Sequence, residues 1–179
     1  MTIGTAGATA EQEDVHVTAT GFCGSAIGNG AKDTKVTIQG HATVQTASSQ
    51  SPIAIGSYYG NVEVNIKDNA SIDTATGAGA SGIGGGDFFS HPEKSVVVTI
   101  DGGKNGKVEI GKNSVLSGWY GAISGTEVKI GNNVLLKMKG RSSPSSLYIT
   151  ADIFNHEAAV GKRNDPAASG LVNTLSLIH

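Results

Sequence analysis

One nine-residue string recurs along this chain and limits what it can fold into. Val64-Asn65-Ile66-Lys67-Asp68-Asn69-Ala70-Ser71-Ile72 repeats Val36-Thr37-Ile38-Gln39-Gly40-His41-Ala42-Thr43-Val44 at a distance of 28 residues. Val108 to Leu116 and Val128 to Leu136 read as two later copies. The common pattern is Val-x-Ile, then a polar or glycine-containing corner, then an aliphatic residue six positions after the Ile. A second marker keeps the same period: Ile27-Gly28, Ile55-Gly56 and Ile83-Gly84 lie 28 residues apart, with Ala122-Ile123 as a fourth member after an insertion. Repeats of this length are units that cannot bury an apolar face alone and so stack on one another.

Each copy has a direct physical reading. Val-x-Ile alternates with period two, which sends both aliphatic side chains to one side of a strand and the middle residue to the other. The corner residues then bend the chain. Asn69, Asn113 and Asn133 recur at its third place, held by His41 in the first copy, and Asn tolerates the left-handed backbone that bends require. Alternation resumes beyond the corner, so that Val44 with Thr46, and Ile72 with Thr74, are expected to face one way. Ile-Gly supplies a third short strand. Three strands and three bends make one coil, and the expected fold is all-β, a right-handed parallel β-helix of about five coils, about 25 Å long at the spacing of paired strands. Ile38, Ile66, Ile110 and Ile130 would form one inward column, Val44, Ile72, Leu116 and Leu136 another. Thr37, Asn65, Glu109 and Lys129 would stack outward. Residues 1–14 read as an N-terminal tail or cap, 15–140 as the coils, and 141–179 as a capping segment that protects the open strand edges. Ile110-Gly111-x-Asn113 and Ile130-Gly131-x-Asn133 also resemble the hexapeptide repeat of left-handed β-helix acyltransferases. The 28-residue period departs from that repeat's 18-residue coils and favours the right-handed form.

Composition narrows the function. Gly supplies 26 of 179 residues, placed at bends rather than in triplets, and charged residues supply only 16%. The net charge of −2 comes with scattered lysines and no basic stripe, which argues against nucleic-acid binding. The single cysteine, Cys23 in Gly-Phe-Cys-Gly, excludes an intrachain disulfide and is expected to be a small buried residue. No apolar run is long enough to cross a membrane as a helix. The first residues lack a basic-then-apolar leader, so the expectation is an intracellular protein or one whose leader has been removed.

Candidate chemistry is thin. The histidines His16, His41, His91, His156 and His179 lack metal-ligand spacing, and no motif points to a cofactor, calcium included. No serine sits in a nucleophile elbow. Gly82-Ile83-Gly84-Gly85-Gly86 lacks the Lys-Ser/Thr that a phosphate loop needs. The outward acids Asp73, Asp101, Glu109 and Glu127 form no carboxylate ladder, so a general acid–base pair would have to span columns. The aromatics say more. Seven of nine lie beside the Ile-Gly markers. Tyr58-Tyr59 and Phe88-Phe89 follow their markers by nearly one interval, and Trp119-Tyr120 precedes its own. Tyr58, Tyr59, Phe88, Phe89, Trp119 and Tyr120 are therefore the candidate ligand-binding residues, a platform on one edge of the rod against which sugar rings could stack.

Ser81-Gly82-Ile83-Gly84-Gly85-Gly86, with Gly24 to Gly30 and the Val-x-Ile strands, resembles the glycine-rich GxGIGGG repeats of bacterial surface proteins, many of them described as carbohydrate-binding. The resemblance spans about residues 15–140 and departs at Asn29 and Ser57, which replace glycines. It implies a right-handed β-helix exported to the cell surface or secreted, with roles in polysaccharide or host-glycan binding and adhesion. No site residue transfers from it. The leading expectation is a non-enzymatic glycan-binding or adhesion module. The alternatives are a small pectate-lyase-like polysaccharide-cleaving enzyme, and a rod segment of a larger surface or phage-tail protein that oligomerises.

Overall fold

A computed structural model describes residues 1–12, 15–50, 52–77, 81–86, 91, 93–111, 121–136 and 149–155. All regular structure among them is strand. In chain order the strands are β1 (Thr2–Ile3), β2 (His16–Gly21), β3 (Ile27–Gly28), β4 (Thr34–Ile38), β5 (Thr43–Ser49), β6 (Ile53–Ser57), β7 (Val62–Lys67), β8 (Ser71–Ile72), β9 (Ala75–Gly77), β10 (Ser81–Gly85), β11 (Val96–Asp101), β12 (Val108–Ile110), β13 (Gly121–Ile130), β14 (Val134–Leu136) and β15 (Ile149–Asn155). Every pairing between them is parallel. The chain is a parallel β-solenoid. Four complete turns run from Ile3 through Ile38, Ile66 and Ile100 to Ile130, and β15 adds a row beyond them.

Three faces enclose the core. On the first, the Val-x-Ile strands β1, β4, β7, β11 and the second half of β13 stack in order. The second face begins with β2, β5, β8, β12 and β14, and β9 extends it beside β5. On the third, the Ile-Gly strands β3, β6, β10 and the first half of β13 pair, and long β13 joins this face to the first. Burial alternates as the period-two reading requires: in β7, Val62, Val64 and Ile66 are buried, whereas Glu63, Asn65 and Lys67 are half-exposed. The core is almost wholly Ile, Val and Ala. Removing such side chains from water is the main favourable term in folding.

Ile38 and Ile66 occupy adjacent coils and are fully buried. The next member of their column is Ile100, not Ile110. Two Val-x-Ile strings lie ten residues apart here, and Val98-Thr99-Ile100 takes the first face. Val108-Glu109-Ile110 falls on the second, where Ile110 continues the column Val44, Ile72 and ends at Leu136. Glu109 accordingly leaves the expected outward column, which runs Thr2, Thr37, Asn65, Thr99, Lys129. Leu116 and Asn113 lie outside the described residues. The period lengthens because residues are added between strands, before β11 and, as the turn Gly102 to Gly106, after it, and connections tolerate added length.

A second difference concerns β5. Between Val17 and Thr18 the ladder against β5 shifts, so that Val17 meets Val44 but Thr18 meets Thr46. The extra residue, Gln45, reverses the alternation. Ala47 and Ala75 turn into the core, and Thr46 and Thr74, expected beside Val44 and Ile72, stay at the half-buried surface. At the start of the chain, β1 pairs with β4, Thr2 against Thr37 and Ile3 against Ile38. At the other end, β15 pairs with β13 inside the segment read from sequence as a cap; residues 137–148 and 156–179 lie outside the described set.

The Ile-Gly marker has a backbone cause. Gly28, Gly56 and Gly84 hold φ of 124°, 130° and 117°, a region that side chains other than hydrogen rarely enter. A Cβ on each would also strike the carbonyl of the residue above it, Gly56, Gly84 and Ser124 in turn. The corners follow the expectation. Asn69 and Asn133 sit in bends, Asn69 Oδ1 accepts from Lys107 N at 3.1 Å, and Asn133 Nδ2 donates to Gly103 O at 2.9 Å. A left-handed residue stands at the second corner place in Gly40 and Asp68, at the third in Asn133 and at the first in Gly111.

Candidate functional site

The outward positions of the first face form a shallow polar depression of about 600 Å³. Its floor follows from the register. Lys35, Glu63 and Val97 make one row, and Asn65, Thr99 and Lys129 the next. Lys35 Nζ lies 2.8 Å from Glu63 Oε1, and Asn65 Nδ2 donates to the same oxygen at 2.9 Å. These contacts, Lys35 foremost, hold the Glu63 carboxyl below its ordinary range. Lys129 Nζ reaches Glu127 Oε2 at 3.0 Å.

One wall of the depression is built by the turns that enter the face. Asp33 accepts from Asn61 N at 2.9 Å and from Asn61 Nδ2 at 3.2 Å, and Asn61 Oδ1 accepts from Ser95 N at 3.0 Å. Three successive coils are thus clipped by side chains at one corner. The Asn61 backbone hydrogen bond, then its side chain, lowers the Asp33 pKa. The result is a surface of fixed carboxylate, amide, hydroxyl and ammonium groups, suited to hydrogen-bonding a polyol.

The aromatic platform is only partly in view. Tyr58 and Tyr59 stand just past the end of β6, edge to face with ring centroids 4.6 Å apart. Tyr59 is 55% exposed and Tyr58 half-buried. Tyr59 lies two residues before Asn61, a lining residue of the depression, in the connection from β6 to β7. The partners Phe88, Phe89, Trp119 and Tyr120 lie outside the described residues. Phe22, on the bend before β3, is 74% exposed, and Cys23 beside it is exposed as well, contrary to the expectation of a buried thiol. That bend follows the outermost described strand of the second face, with no described strand beyond it to cover the thiol.

The outward acids are dispersed. Asp101 stands opposite Lys67, and its Oδ1 accepts from Gly103 N at 2.8 Å and Asn132 N at 2.9 Å. Glu109 is on the second face, 2.6 Å from Lys107 Nζ. Glu127 stands between Val97 and Asp152 in its row. Among the described residues no three His, Cys, Asp or Glu side chains gather as a metal site, and no helix is long and apolar enough to cross a membrane. The depression itself escaped the sequence reading, because rows across coils emerge only once Val98, rather than Val108, is placed next to Val64.

No protein-family model matches the chain, and no curated protein or solved structure matches it at a significant level.

Proposed function

We propose that this β-solenoid is a non-enzymatic glycan-binding module of the bacterial cell surface or its surroundings. The observation that carries the reading is the edge-to-face Tyr58–Tyr59 pair, Tyr59 exposed, in the turn that leads into a polar depression lined by Asn61, Asn65, Thr99, Lys35 and Lys129. A sugar presents an apolar ring face and a belt of hydroxyls. The tyrosines offer a surface for the first and the depression hydrogen bonds for the second.

A stacking contact contributes on the order of 1 kcal/mol, so one module binds weakly, with Kd around 0.1–1 mM. A glycan array followed by calorimetry on the best ligand tests this. Tyr58→Ala with Tyr59→Ala should abolish binding while the melting temperature moves little, and Asn65→Ala should weaken it. Trp119→Ala tests whether the platform extends beyond the described residues. Unchanged binding in the double tyrosine variant would overturn the site. New reducing ends released from an acidic polysaccharide would replace the binding module with the pectate-lyase-like enzyme.

A further inference from the structure

A second outward array lies away from the depression, on the second face. Thr18-Ala19-Thr20, Thr46-Ala47-Ser48 and Thr74-Ala75-Thr76 recur at one position of successive coils. The ladder sets Thr18 against Thr46, Ala19 against Ala47, and Thr20 against Ser48. Ala75 and Thr76 continue against Ala47 and Ser48. Ala47 and Ala75 are fully buried, so the hydroxyl residues on either side point outward. None of β2 from Val17 onward, the Thr46 to Ser49 part of β5, or β9 carries a charged residue. In a chain this rich in polar corners, that leaves an outward patch of hydroxyls and methyls, bordered by exposed Gln45.

Strand geometry fixes the lattice. Rows repeat at about 4.8 Å across the coils and columns at about 6.6 Å along each strand. The row spacing is close to the shorter oxygen repeat on the prism faces of hexagonal ice, and the column spacing falls about a tenth short of the longer one. A threonine holds a hydroxyl and a methyl at each point, which can anchor one water and cage its neighbours. Short stiff side chains on a packed sheet lose little entropy in doing so. We propose that Thr18, Thr20, Thr46, Ser48, Thr74 and Thr76 form a surface that orders water and binds ice. Ser48 is the one point of the lattice without a methyl. The site is independent of the glycan reading, since it shares no residue with the depression or the tyrosine pair.

The test is partition of the purified chain into a slowly growing ice hemisphere, with inhibition of ice recrystallisation as a second readout. The wild-type chain should enter ice and slow recrystallisation, whereas serum albumin at equal concentration does neither. Thr46→Tyr, which raises a ring at the centre of the array, should lose both effects while keeping its far-ultraviolet dichroism. Thr20→Tyr, in the outermost described row, serves the same purpose should the central variant fail to fold. Ser48→Thr should lower the concentration that arrests recrystallisation. Tyr58→Ala with Tyr59→Ala should leave ice binding intact, which separates the two sites. Partition no greater than that of albumin, or undiminished in a folded tyrosine variant, overturns the proposal. So does loss of crystalline-cellulose retention in Thr46→Tyr without any ice effect, which would make the array a polysaccharide surface.

Discussion

Gly56 and Gly103 show why the glycines of this chain are not equivalent. Both have positive φ, 130° and 64°. At Gly56 a Cβ would collide with the Gly84 carbonyl, and at Gly103 it would meet open space. Gly103 is also in the left-handed well that other residues enter for about 1–2 kcal/mol. Gly56 lies where only glycine is at ease, and its neighbour above is backbone that cannot rotate away. Gly56→Ala should therefore cost on the order of 3 kcal/mol or more, and Gly103→Ala about 1 kcal/mol. Chemical denaturation of the two variants side by side checks the difference, and equal costs would show that close coil stacking does not set the marker. Ser124 stands in the same column without glycine. Its hydroxyl accepts from Ser81 and donates to Gly85 O, so that coil fills the position with a buried hydrogen-bonded chain instead.

Among the strands and turns, the sequence shows its stacking plainly wherever an alternating string is unique within its coil. Val36-Thr37-Ile38 and Val64-Asn65-Ile66 had no rivals, and both landed in register. Val98-Thr99-Ile100 and Val108-Glu109-Ile110 competed for one face. The corner pattern chose the wrong one, because an aliphatic residue, Leu116, stands six positions after Ile110 whereas Gly106 stands six after Ile100. Thr46 was misread for a related reason: one bulged residue reverses every side chain after it. The tyrosine pair was legible as aromatic spacing; the polar depression, made by rows across coils, was not. The turn that walls that depression makes its own prediction. Hydrogen bonds from Asn61, backbone first, hold the Asp33 carboxyl below its ordinary value of 3.8. A carboxyl depressed in the folded state adds stability above its unfolded pKa, and that addition vanishes as pH falls through the folded value. Asp33→Ala should thus melt below wild type at pH 7, with the gap closing as pH drops beneath about 4. Thermal melts of both proteins between pH 7 and pH 2 follow the gap; one that stays constant would assign the clip to shape rather than charge. Asp33 is exposed, so the gap itself should be small.

At the level of the whole molecule, each coil touches only the coils above and below, so stability is close to a sum of repeats and their interfaces. Such a stack should tolerate the loss of one whole unit and nothing else. Residues 55–82 span one period of 28, from Ile55 to the residue before Ile83. Removing them joins Ala54 to Ile83, and Ile53-Ala54-Ile83-Gly84 reproduces the native Ile53-Ala54-Ile55-Gly56 string of β6. The β4 coil then meets the β11 coil directly, Val36 and Ile38 facing Val98 and Ile100 in place of Val64 and Ile66. The shortened chain should fold, keep its β dichroism and unfold cooperatively at a lower temperature. Removing 55–81 instead leaves one residue too many, Gly82 enters the strand, and every side chain after the joint must change faces or a bulge must absorb the slip. That variant should melt far lower or fail to fold, although it deletes one residue fewer. The same 28-residue deletion takes away Tyr58, Tyr59 and Asn65, so a folded product that still bound glycan would strip the tyrosine site of its assignment while leaving the solenoid intact. Comparable melting of the two deletions would instead mean that the coils are held by something other than the register of their buried columns.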